Sequence, residues 1–289
     1  MNKHLSSALL LGACVMASVA NAQFYVVKDG KLLFSTESTP DYITFELPCG
    51  GVVGDAVDLG LSVKWSSVNV GASSPEDNGN YYAWGETETK DAYSWATYKF
   101  MDHEIDKYKD KKFGITKYTR ADNQYSCIWY QSGVFVGDGK TTLESADDAA
   151  AANWGGEWRM PTEAEWDELC NNCYIVLTSD YNSTGKAGYI IYKAKDEADK
   201  GQLVKSDNTP LATYSLADTH IFLPFAGSRD GKKLGGVGTN GFYWSSSLYV
   251  YQESWFGSRL NFTTDYFEAL TQGERRFGQP VRPVCPKTE

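Results

Sequence analysis

Residues 155–169, Gly-Gly-Glu-Trp-Arg-Met-Pro-Thr-Glu-Ala-Glu-Trp-Asp-Glu-Leu, constrain the fold more than any other stretch of the chain. Thr162 and Glu165 have the spacing of a capping box. The Thr hydroxyl accepts from the backbone N–H of Glu165, and the Glu carboxylate accepts from that of Thr162. Pro161 fixes the approach to the cap. Glu163, Glu165, Asp167 and Glu168 place negative charge in the first turns, where the helix dipole favours it. Trp166, Leu169, Cys170 and Cys173 fall at i, i+3, i+4 and i+7 and form one apolar stripe. The pattern predicts a helix over Glu163–Cys173 that lays Trp166 on a core.

The rest reads as short strands and loops. Ser145 with Asp148 predicts a second short helix over Ala146–Asn153. Val57, Leu59, Leu61, Val63 and Trp65 alternate as in a half-buried strand, with a bulge at Ser66-Ser67. Further strands are predicted at Tyr81–Gly85, Tyr174–Leu177, Gly188–Lys193, His220–Phe225, Phe242–Ser246, Ser254–Phe262 and Gln279–Val284. The stretch from Glu86 to Lys117 reads as loop. Two short helices with several short, mostly antiparallel strands and long loops make an α+β domain.

The amino terminus has its own logic. A short basic start, an apolar run from Ala8 to Ala20 and Ala20-Asn21-Ala22 before Gln23 read as a signal peptide over residues 1–22. Leu11-Gly12-Ala13-Cys14 also resembles a lipobox, which would put a lipid anchor on Cys14. Cleavage there would leave an apolar stub rather than a polar tether, so cleavage after Ala22 is the preferred reading. No other stretch approaches the roughly 18 apolar residues of a membrane span. The expectation is an exported protein, secreted or held at the cell envelope or outer-membrane surface. Residues 23–48 read as a small β segment: strands at Phe24–Val27, Leu32–Ser35 and Tyr42–Phe45, the first two joined by a turn at Lys28–Lys31. Pro48, Gly50, Gly51 and Gly54 mark a linker over 49–54, and residues 55–289 form the main domain.

The formal net charge is −10. Removing the leader takes away a single charged residue, Lys3, and leaves the chain more acidic. That argues against nucleic acid or an anionic membrane as partner. The basic run Lys107, Lys109, Lys111, Lys112, Lys117 and Arg120 reads as a solvated loop or hairpin. Cys49, Cys127, Cys170, Cys173 and Cys285 remain after cleavage, an odd number. Cys170-Asn-Asn-Cys173 has metal or redox spacing, but a zinc site needs two more ligands and only His103 and His220 offer imidazoles. Both thiols sit on the apolar stripe and read as core. Calcium is possible for an exported loop-rich domain, although no ligand loop is spelled out, so no cofactor is expected.

Two glycine motifs fail on context. Gly236-Val-Gly-Thr-Asn-Gly241 matches G-x-G-x-x-G but lacks the strand before and the helix after that a dinucleotide site needs. Gly133 to Thr141 misses the phosphate-loop spacing and reads as a turn. No nucleophile elbow is present. The unusual concentration is aromatic: residues 242–267 hold ten aromatic side chains in a chain that is 14% aromatic. Trp244 and Phe262 read as core. Tyr249, Tyr251 and Tyr266 fall among Ser, Gln, Thr and Asp in turn-like segments, the chemistry of adaptable binding surfaces.

Seven stretches occur in a telling order: Val57–Trp65, Asn80–Glu86, Asp147–Ala150, Asn153–Thr162, Phe222–Gly227, Tyr243–Ser246 and Gly278–Val284. Together they resemble the Fibrobacter succinogenes major paralogous domain family, common in exported proteins of gut Bacteroidetes, over roughly residues 55–285. The resemblance implies the C-type-lectin-like fold of the formylglycine-generating group, with the domain ends close together and a loop-rich surface carried by the last strands. It also implies surface display or adhesion. The expected function is therefore a binding protein that presents Tyr249, Tyr251, Trp255, Arg259, Tyr266 and Arg275 to a glycan or protein ligand. One alternative is a copper/thiol oxidase, because enzymes of that group use two reactive cysteines with copper. Cys170 and Cys173, on a predicted helix, do not fall on that motif, and Cys285 lies past the last predicted strand without an evident partner. Another alternative is a structural surface or fimbrial component.

Overall fold

The structure is a computed structural model. It describes residues 54–102, 114–122, 127–206, 208 and 213–287 in full, and the backbone of four strands before them. The chain divides into two compact units, Met1–Leu47 and Pro48–Glu289. In the first, β1 (Leu9–Leu10), β2 (Ala13–Ser18), β3 (Gln23–Lys28) and β4 (Lys31–Thr36) pair in chain order as an antiparallel sheet. β3 and β4 stand where the sequence places its first two strands. β1 and β2 occupy the apolar run read as a signal peptide, so cleavage after Ala22 would remove both. The strand expected at Tyr42–Phe45 lies outside the described residues, as do Cys49 and His103.

The second unit is α+β. Its strands are β5 (Ala56–Val57), β6 (Val63–Ser66), β7 (Tyr130–Gln131), β8 (Val134–Phe135), β9 (Cys173–Thr178), β10 (Gly188–Lys193), β11 (Leu203–Val204), β12 (His220–Pro224), β13 (Ala226–Asp230), β14 (Lys233–Val237), β15 (Gly241–Leu248), β16 (Phe256–Phe262), β17 (Phe267–Glu274) and β18 (Val284–Pro286). The helices are α1 (Ala149–Trp154) and α2 (Glu163–Asn172). The sheets run β11-β9-β10-β12, β14-β13-β15-β16-β17 and β18-β6-β5, with β7-β8 as a separate hairpin. β18 pairs antiparallel with β6, Val284 opposite Trp65, so the end of this unit returns to its beginning. Cys285, within β18, is disulfide-bonded. That corrects the reading of it as a residue beyond the last strand with no partner.

α2 forms as its sequence dictates. The Thr162 hydroxyl accepts from Glu165 N–H (3.2 Å) and the Glu165 carboxylate accepts from Thr162 N–H (2.7 Å). Trp166 and Leu169 are buried, and Trp166 lies 4.5 Å from the Trp65 ring. They join Tyr243, Leu260 and Phe262 in one core, with α2 covering one face of the five-stranded sheet. A second core on the other side gathers Trp84, Tyr98, Tyr118, Trp129, Trp244, Leu248 and Trp255.

Several boundaries move. The alternating run Val57–Trp65 is two strands around a turn, because Asp58 Oδ1 accepts from Gly60 N–H (2.8 Å) and Gly60 takes φ +84°. Leu59 and Leu61 are buried all the same, which is why the alternation looks continuous. Tyr81–Gly85 and Gln279–Pro283 form no strands; they meet through one bridge, Tyr82 to Gln279. α1 is capped by Asp148, whose side chain accepts from Ala150 and Ala151 N–H, while Ser145–Asp147 is a 3-10 turn. Ser132 and Gly133, both at positive φ, make the two-residue turn between β7 and β8. The Gly236–Gly241 motif spans the end of β14, a turn and the first residue of β15.

Candidate ligand-binding surface

β15, β16 and β17 form an antiparallel meander, and the loop Tyr249–Trp255 joins the first two of these strands. That loop is tied down on several sides. Tyr249 N–H donates to Phe256 O and Phe256 N–H to Glu253 O, both at 3.2 Å. Arg120 N–H donates to Ser254 Oγ (3.1 Å), and the Arg120 guanidinium donates to Gln252 O. Arg120 follows Tyr118 and Thr119, whose N–H groups both donate to the Asp138 carboxylate (2.8 and 2.9 Å). The 249–255 loop is thereby linked to the segment after the β7–β8 hairpin. Tyr251 rises from this platform with 68% of its surface exposed, and its ring meets that of Tyr249 edge-on at 5.5 Å.

Two residues expected on this surface lie beneath it. Arg275 is fully buried. Its Nε–H donates to Tyr98 Oη (2.8 Å), one terminal nitrogen to Tyr118 O (3.2 Å) and Ser254 O (3.0 Å), and the other to Lys117 O (3.0 Å). The guanidinium also lies 4.6 Å over the Trp84 ring and 5.3 Å over that of Tyr98. Burial pushes its pKa down, and Tyr98, the Asp138 carboxylate and Tyr118 oppose that shift. Trp255 is buried in the same core, and its carbonyl accepts from Arg275 N–H (3.0 Å). Both are corrected from ligand contacts to supports: Arg275 holds Ser254, and through it the loop that carries Tyr251.

Arg259 and Tyr266 are partly exposed but belong to another place. Tyr266 sits in the turn between β16 and β17, at the far end of a seven-residue strand from Tyr249 and Tyr251. At a rise of about 3.3 Å per residue, the two loops stand roughly 20 Å apart. The six expected residues therefore separate into exposed Tyr251 with partly exposed Tyr249 beside it, two buried supports, and Arg259 with Tyr266. Sequence reasoning missed Arg120, which it placed in a solvated basic run, and Asp138. No local signal marks either, because their partners are distant in the chain.

The other chemically suggestive groups are engaged. Lys117 in that run is ion-paired with Glu144 (2.6 Å) and Asp147 (2.5 Å), and Lys99 with Asp147 (2.8 Å). Burial opposes ionisation of Asp147, but these two lysines and the Tyr118 hydroxyl hold its carboxyl below the usual carboxylate range. A cleft of about 410 Å³ nearby is lined by Glu86, Lys90 and Lys99, and Lys90 pairs with Glu86 at 2.7 Å. Cys170 and Cys173 are free thiols; burial pushes Cys170 up to about 12 and Cys173 higher still. At neutral pH neither is the thiolate that nucleophilic attack requires. His220 bonds Tyr181 Oη (3.0 Å) and Asp218 O (2.8 Å) within an aromatic cluster. Among the described residues no group of three or more His, Cys, Asp or Glu side chains is placed to hold a metal ion. Nor, among them, is any helix long and apolar enough to cross a membrane.

No family model, curated protein or solved structure matches this chain.

Proposed function

We propose that this is an exported binding protein of the cell surface or secreted space, built on a C-type-lectin-like domain. In this reading the loop Tyr249–Trp255 presents Tyr249 and Tyr251 to a glycan or protein ligand. One observation carries it: an aromatic side chain with 68% of its surface exposed stands on a loop fixed by Arg120, Ser254 and Arg275. An exposed tyrosine on a mobile loop has no special meaning. One held at the rim of a core avoids most of the ordering entropy that binding would otherwise cost. The export signal, the acidic balance and the resemblance over residues 55–285 are consistent with this role. The copper/thiol alternative is disfavoured by the burial of Cys173 and the partial burial of Cys170, which keep both thiols protonated.

The test is a double substitution, Tyr249→Ala with Tyr251→Ala, assayed on glycan and protein arrays against the native protein. Loss of a tyrosine anchor weakens binding by about 2 kcal/mol, or roughly thirtyfold. Near-ultraviolet circular dichroism checks that the fold is kept. Unchanged binding by the folded double variant would overturn the assignment.

A further inference from the structure

The second part of the surface carries a different chemistry. Strand register sets Phe242 opposite Asn261 and Trp244 opposite Arg259, so Phe242, Arg259 and Asn261 share one face of the sheet. It is the face away from α2, which packs with Tyr243 and Leu260. Half of this face is roofed by the Trp84–Trp244 core: a Cβ on Gly257 would stand 2.7 Å from the Trp84 ring. The half toward Phe242 and Asn261 stays partly open, and Glu268, opposite Asn261, is exposed at its rim.

Arg259 lies at the boundary, its guanidinium 4.4 Å over the Phe242 ring. Arg275 and Arg282 are fully buried, and their donors reach carbonyls, Tyr98 Oη or Asn69 Oδ1. Arg259 differs. Its buried Nε–H has no acceptor, and no carboxylate among the described residues stands within ion-pair distance. Two residues further on, Asn261 Oδ1 is a buried acceptor with no donor. Burial lowers the Arg259 pKa to about 10, with Tyr266 near enough to act on its charge.

An unmatched charged donor and an unmatched acceptor on one half-open shelf are costly, and together they specify what would relieve the cost. The guanidinium fork wants a carboxylate or similar anion. Asn261 Oδ1 wants a hydroxyl donor at a fixed distance from that anion. Sulfate and simple carboxylates bring only acceptors, and a phosphate carries its hydroxyl on the anion itself rather than at a distance from it. We propose that this shelf binds a carboxylate-bearing saccharide of the uronic-acid class. Its carboxylate sits on the Arg259 guanidinium, and a shift of the Asn261 and Phe242 side chains on binding brings a ring hydroxyl to Asn261 Oδ1, which is shielded from solvent in the free protein; Phe242 and Tyr266 supply the apolar contact. The site is separate from the Tyr249–Tyr251 loop and does not depend on that loop's role.

The Nε–H resonance of Arg259 in the nitrogen-15-labelled full chain reports binding directly; its disappearance in Arg259→Lys assigns it. Titration with glucuronate, glucose and acetate at matched ionic strength separates ring, charge and their combination. A saturable shift with glucuronate is expected, at least about tenfold tighter than with either control. Asn261→Ala weakens it about tenfold. Glu268→Gln tightens it by removing a like charge at the rim. The Tyr249→Ala, Tyr251→Ala double variant titrates as native, so failure of the loop assignment and failure of this one are told apart. Three results would overturn the proposal: no saturable shift with glucuronate, acetate binding as tightly as glucuronate, or a folded Asn261→Ala protein titrating like the native one.

Discussion

At Arg275 a buried guanidinium is held with no carboxylate among the described residues within ion-pair distance. Burying such a charge is expensive unless its donors find acceptors, and here Tyr98 Oη and three backbone carbonyls take four of the five N–H groups while Trp84 covers the face. Replacing Arg275 by Met keeps much of the volume but strands the carbonyls of Lys117, Tyr118 and Ser254. At about 1 kcal/mol or more for each, the loss is about 3 kcal/mol, read as a fall in the midpoint of urea unfolding. Lys restores the charge but not the planar fork, so Arg275→Lys recovers only part of it. Full stability of Arg275→Met would show that the carbonyls find other partners. The sequence offers no local clue to this role: Tyr98 lies 177 residues before Arg275. An arginine beside exposed-looking Glu and Gln reads as surface until the fold brings that tyrosine to it. Tyr251 was legible because loop composition alone sets its exposure, whereas Tyr249 is half covered by the loop it stands on.

The same contrast holds among elements. α2 was readable in advance because its information is local: a cap, three residues to its partner, and a stripe at helical spacing. β10 was readable because an uninterrupted apolar run between turn signals has few other fates. β13 and β14 were missed, since Gly227, Gly235 and Gly236 weaken any strand pattern and β14 is exposed along its whole length. Gly227 is needed there: at φ +66° a Cβ would stand 2.1 Å from Gly235 O. β17 was missed because Leu270 takes a positive φ and shifts its register against β16, breaking the period. The two helix caps make a testable pair. Thr162→Ala removes one capping acceptor on a partly exposed helix and costs about 1 kcal/mol. Asp148 is nearly buried and accepts from Ala150, Ala151 and Met160 N–H, so it joins α1 to the segment leading into α2. Asp148→Ala strands all three and costs about twice as much or more, measured by chemical unfolding of the two variants side by side. Equal losses would show that the Met160 contact adds nothing.

For the molecule as a whole, the density of buried phenols sets an upper pH limit to the fold. The chain has 19 tyrosines. Burial pushes Tyr118, Tyr189 and Tyr192 up to about 12, and raises Tyr98 and Tyr243 further. The Cys170 thiol moves the same way. For each such group the neutral form is the one the core accepts. A folded value above the unfolded value near 10 for a phenol gives stability that is complete below 10 and lost as pH rises through the folded value. These contributions fall in one window, so they should be lost together. In an alkaline titration, phenolate absorbance should show a late cooperative step in the folded protein that coincides with loss of the near-ultraviolet dichroism. The urea-unfolded chain should titrate in a single transition near 10. Thiol-reagent labelling of Cys170 and Cys173 should remain slow until the same step and then complete with it. If phenols and thiols instead become reactive while the near-ultraviolet signal persists, the two aromatic cores open locally. The fold would then lack the cooperative unit that Trp166, Trp244 and the β15–β17 sheet imply.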